Sequence, residues 1–191
     1  MIRRRVLILG LCVAALAVAG RAHAAVVLAL SFDELTERAD VIVVGEVTKI
    51  TIHRDNLDRI VTDATVTVSE RWKGTVAVGK TLTARSLGGT MGDVGLRVSG
   101  EPGFHEGDRL LFFGRQSPNG PYFRAVGMSQ GVFPLRRTPA GAWTVYPGAN
   151  DLALVTQDTA GRLSPKPPAL LKETPLTDIR RTIGRALGGT K

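Results

Sequence analysis

The sequence has a single cysteine in 191 residues, Cys12, and none after residue 24. That rules out a disulfide framework, a thiolate nucleophile and a thiolate-bound zinc for everything downstream of the first 24 residues. Histidine is as scarce. Beyond His23 only His53 and His105 occur, too few for a three-histidine zinc site. Aromatic residues are few as well: Phe112 and Phe113 fall in a continuously apolar run and Tyr122 and Phe123 point to opposite faces, which argues against the exposed stacking platforms on which single-stranded nucleic acids are held. No apolar run reaches the roughly 20 residues that a membrane-spanning helix needs. No cofactor, metal or nucleic acid is therefore expected.

What the sequence does have begins at its first residue. Arg3, Arg4 and Arg5 form a basic region, residues 6–19 an apolar core, and Ala22-His23-Ala24 a small-residue cleavage pattern. Residues 1–24 therefore read as a secretory signal peptide, and the protein as exported, to the periplasm or beyond the cell, with no stable membrane anchor after cleavage. Cys12 follows Leu11 inside the apolar core, which does not suit lipidation, and the arginines lack the setting of a twin-arginine signal. The leader carries four arginines and no acid, so its removal lowers the formal charge from +8 to +4. Half of the basic excess thus belongs to targeting, and the remainder does not demand a polyanionic partner.

Residues 25–150 have the pattern of a small β-barrel domain. Ser31 followed by Glu34 is a capping box that opens a short helix ending near Ala39. A long β-branched strand follows over 41–52, its inward set reading Val41, Val43, Gly45, Val47 and then slipping phase to Ile50 and Ile52, the mark of a bulge. Residues 59–72 pair back, with Ala64, Val66 and Val68 alternating against Thr65, Thr67 and Ser69. Shorter strands are expected at 81–87 and 94–99, on either side of a mobile glycine-rich link over 88–92, then at 110–113, 122–128, 132–136 and 142–146. Short strands joined by compact turns predict a mainly antiparallel barrel. Residues 151–191 read as a Pro-containing connector, stiffest over 164–168, and an amphipathic C-terminal helix. Its cap is Thr174, its first residue Pro175, and its stripe Leu176, Ile179, Ile183 and Leu187.

The segment Ala39-Asp40-Val41-Ile42-Val43-Val44-Gly45-Glu46-Val47, the strand end Glu70-Arg71-Trp72-Lys73-Gly74, and Gly107-Asp108-Arg109-Leu110-Leu111-Phe112-Phe113 together resemble uncharacterised secreted bacterial proteins. Their pattern is similar to the netrin-like modules, whose best-known members are tissue inhibitors of metalloproteinases. The resemblance spans roughly residues 31–136. It implies an OB-type five-stranded barrel with flanking helices and, as a specific role, inhibition of an extracellular protease. Those inhibitors act through an N-terminal cysteine clamped by disulfides. Here the residue after the leader is Ala25, so no zinc-binding or catalytic residue carries over.

Four motifs raise chemistry and are weighed against simpler roles. Gly127-Met128-Ser129-Gln130-Gly131 matches the nucleophile elbow of serine hydrolases, but both remaining histidines precede Ser129 and residues 132–135 are strand-like, not helical. A hydrolase using Ser129 is the alternative function. His105 beside Glu106 and Asp108 reads as a surface turn, and Asp55, Asp58 and Asp63 lack the spacing of a calcium loop. The glycines of 88–95 lack the lysine of a phosphate loop. Arg181 and Arg185 make a polar helix face, read as solvated. The expected function is non-catalytic binding of a protein or cell-envelope partner through the loops of 86–108, with Leu87, Gly88, Gly89, Thr90, Met91, Gly92, Phe104 and His105 as the candidate binding residues.

Overall fold

A computed structural model describes residues 25–148 and 152–188. The expected leader, residues 1–24, lies outside the described residues. Strands dominate: β1 (Ala25–Leu28), β2 (Val41–Arg54), β3 (Ile60–Lys73), β4 (Thr81–Met91), β5 (Val94–Arg97), β6 (Arg109–Gln116), β7 (Phe123–Ala125), β8 (Val132–Arg137), β9 (Trp143–Val145), β10 (Leu152–Gln157), β11 (Leu163–Pro165) and β12 (Thr174–Pro175). Helix α1 (Phe32–Arg38) follows β1, α2 (Leu176–Gly188) closes the chain, and a 3₁₀ turn (Met128–Gly131) joins β7 to β8.

Five strands close a barrel. β2 pairs with β3 and β6, β3 with β4, and β7 bridges β4 and β6. Only the β4–β7 contact is parallel, a single pair between Ala84 and Phe123. The ring order β2-β3-β4-β7-β6 is that of an OB-like barrel. Beyond β6 the sheet continues through β8, β9 and β12.

Two cores explain why β2 and β6 are apolar on both faces. Val41, Val43, Val47, Ala64, Val66, Leu110 and Phe112 fill the barrel. Ile42, Val44, Leu111 and Phe113, on the opposite faces of the same strands, pack outside it with Leu35 of α1 and Leu176, Ile179 and Ile183 of α2. The continuous apolar run over 110–113 is thus a strand buried on both sides, with Phe112 and Phe113 fully enclosed. The bulge expected in β2 is present, as register shifts between Val44 and Gly45 and between Val47 and Lys49. Gly45 is required there: a Cβ would come within 2.6 Å of Val66 and 2.7 Å of the Thr67 carbonyl.

The N-terminal capping box forms as expected. The Ser31 hydroxyl accepts from the Glu34 amide at 3.2 Å, and the Ser31 amide donates to Glu34 Oε2 at 2.8 Å. At the other end the cap differs from expectation. Thr174 and Pro175 pair with Val145 and Thr144, and the Thr174 hydroxyl donates backwards to the Lys172 carbonyl, so α2 begins at Leu176. The segment after 151 is also more ordered than a connector. β10 and β11 form a hairpin, and β1 lies parallel to β10 with Ala25 opposite Leu152.

Candidate functional site

The barrel's open end is built where β4 leaves it. Through Leu87 the strand follows β3, with Val61 opposite Leu87; at Gly88 and Gly89 it turns away. Their φ values of +103° and +136° are ones that side-chain-bearing residues rarely adopt, and a Cβ on Gly89 would meet Thr62 Oγ1 at 2.7 Å. Past this kink β4 pairs with β5 as a two-stranded arm, Gly88 opposite Arg97 and Met91 opposite Val94. The glycine-rich segment, expected as a mobile link, is therefore a paired hairpin. Glycine gives poor strand signal because it has no side chain to pack, yet it is the residue that lets a strand bend here.

Between this arm and the 98–108 loop lies a cavity of about 530 Å³. Leu87, Gly88, Gly89, Phe104 and His105 all line it, with Ile50, Ile52, Thr62, Ser86 and Leu96 completing the walls. Phe104 forms buried floor at 7% exposure, while His105 stands at the rim with its side chain 82% exposed and its Nδ1 3.2 Å from Asp108. Thr90, Met91 and Gly92 are not brought to the cavity. They continue outward along the arm, whose Val94 and Leu96 expose apolar surface.

Glu101, which no sequence motif marks, fixes the loop against the barrel. Its side chain is 8% exposed, accepts from the Leu87 amide at 3.0 Å and receives Arg124 at 2.6 Å. The Ile50 amide donates to Glu106, and at the loop's end the Gly107 amide donates to the Val47 carbonyl while the Val47 amide donates to the Asp108 carbonyl. Thr62 donates its hydroxyl to the Gly88 carbonyl at 2.7 Å, tying the kink down. The result is a preformed concavity of mixed character, in which Arg97 and Glu101 line the wall beside the apolar Ile50, Ile52, Leu87 and Phe104.

A charged cluster lies on the outside of the same strands. Asp63 on β3 receives Arg85 of β4 at 2.6 Å on each carboxylate oxygen and His53 of β2 at 2.9 Å, while Arg85 stacks 3.9 Å from the centre of the Tyr122 ring. Burial is the largest single influence on Asp63 and pushes its carboxyl up. The hydrogen bonds from Arg85 and His53 together outweigh it and hold the group below its ordinary value. The bond to Asp63 raises His53 above its own. In the β2–β3 turn, Arg59 clamps Asp55 and lowers it to about 2. Asp55 and Asp63 thus serve arginines.

Ser129 lies in the 3₁₀ turn, 8% exposed, and its amide donates to the Gly100 carbonyl at 2.8 Å. The residue following the turn begins β8, whereas a nucleophile elbow needs a helix there to align its oxyanion-binding amides. Among the described residues no group of three or more metal-ligating side chains occurs, and no helix is long and apolar enough to cross a membrane. These features define an OB-like barrel with one walled concavity at its mouth. Comparison with protein-family models and with curated proteins found no match for the chain.

Proposed function

We propose that the chain is an exported, non-catalytic binding module that recognises a protein or cell-envelope partner at the barrel mouth. The observation that carries this is the cavity itself. Leu87, Gly88, Gly89, Phe104 and His105, which the sequence singles out for recognition, converge on it from two separate segments. The exposed apolar arm beside it adds a surface that a partner could cover. An extracellular protease is the partner class that the netrin-like resemblance implies. In keeping with it, Ala25–Leu28 is held by backbone pairing to β10 where those inhibitors use disulfides.

The test is site-specific photocrosslinking of the full chain in its native host. A photoreactive side chain at Leu96 is expected to capture a discrete partner, and the same group at Val78, exposed on the β3–β4 connection at the opposite end of the barrel, is not. Equal capture at both positions would overturn the proposal. So would fluorophosphonate labelling that disappears in Ser129→Ala, since that result belongs to a hydrolase.

A further inference from the structure

On the far side of the 103–105 loop from the barrel mouth is a second groove, of about 660 Å³, whose composition differs sharply from the first. Leu135 gives it an apolar floor, and its cationic wall is made by Arg109 and Arg137, which share the outer sheet face with Leu135 and Trp143; Arg136 also lines the groove but sits on the opposite, barrel-side face, with Leu110 and Val132. Trp143 organises that wall: Arg109 lies 4.6 Å and Arg137 4.8 Å from the centre of its ring. Arg136, on the other face, is stacked separately, 4.9 Å from the Tyr146 ring. Stacking of this kind fixes planar guanidinium groups without using their hydrogen-bond donors.

The donors remain largely unclaimed. Among the described residues neither Arg136 nor Arg137 enters an ion pair, and Arg109 reaches only Glu46, at 3.9 Å. Arg109 Nε is buried and has no hydrogen-bond partner among the described residues, a costly condition for a charged group. The other acid of the groove, Asp108, is occupied by the amide and ring of His105. Two arginines held in place on one sheet face, with donor edges free beside an apolar floor, are complementary to an oxyanion attached to an apolar body.

We infer that this groove is a binding site for an organic anion bearing a phosphate or carboxylate on an apolar group. The cavity exceeds what an inorganic ion fills, and the apolar floor accounts for the remainder. The site is separate from the barrel mouth, and it stands whether or not that mouth binds a protein.

Trp143 is its own reporter, because the chain's only other tryptophan is Trp72. In the Trp72→Phe background, cyclohexyl phosphate, cyclohexanecarboxylate and neutral cyclohexanol are titrated into the full chain. Binding is read by Trp143 fluorescence and, on the same solutions, by calorimetry. At least one anion is expected to saturate, cyclohexanol is not, and added salt should move the midpoint upward. The tighter of the two anions tells whether phosphoryl or carboxyl compounds are the ligand class. Arg109→Gln combined with Arg137→Gln should weaken binding tenfold or more, and Arg137→Glu alone, at an exposed position outside the core, should do likewise. Arg185→Gln, in the separate cleft between α1 and α2, should leave it unchanged. Absence of saturation by both anions in both readouts, or an unaltered midpoint in Arg137→Glu, overturns the inference.

Discussion

His53 and Asp63 make a small pair whose worth depends on pH in a direction that the geometry fixes. His53 is raised above its ordinary value of 6.5 by its bond to Asp63, so its contribution to stability is full below that value and fades as pH rises through the raised one. Asp63 is held below its ordinary 3.8, so its contribution is full above that value and is lost as pH falls through the lowered one. Both act together between the two ordinary values. The melting-temperature deficit of His53→Asn should therefore be largest at about pH 5 and shrink as pH rises through the raised value. A deficit that does not change over that span would show that the charge on His53 contributes nothing. Arg85→Met leaves Asp63, only 18% exposed, with His53 as its remaining side-chain partner and should cost about 2 kcal/mol in a denaturant melt at neutral pH.

At the scale of elements, sequence periodicity was a good guide wherever one face is wet and poor where a strand depends on distant partners. β3 was readable because Thr65, Thr67 and Ser69 alternate with Ala64, Val66 and Val68, and α1 because its capping box is a four-residue signal complete in itself. β10 and β11 were not readable. They are short, sit near prolines, and owe their order to β1, more than a hundred residues earlier, which leaves no local trace. The binding candidates divided in the same way: the residues at the kink and on the loop reach the cavity, while Thr90, Met91 and Gly92 follow the arm that glycine disguised as a link. Glu101 escaped notice because its partners are Leu87 of β4 and Arg124 of β7, and the arginine groove because it arises from contacts between β6, β8 and β9; no spacing along the chain announces either. α2 makes a plain test of element packing. Ile183 is fully buried between it and the outer face of the barrel, so Ile183→Ala should lower unfolding free energy by about 3 kcal/mol, read from the denaturant midpoint at constant slope.

For the whole molecule, the barrel is unevenly fastened. β2 and β3 share a long register, whereas closure between β4 and β7 rests on one residue pair. Hydrogen exchange should therefore find the backbone amides of β7 opening well before those of Val66 or Val43; uniform protection around the ring would contradict this. The parallel pairing of β1 with β10 has a further consequence, for the order in which the chain can finish folding. Ala25–Leu28 is made more than a hundred residues before the strand it needs, Leu152–Gln157. The first segment must wait, unpaired and with Val26 and Leu28 apolar, until that strand has followed it. The small sheet is thus a seal that closes only once β10 has been made, and a chain truncated before residue 152 would carry an unpaired β1 edge open to aggregation.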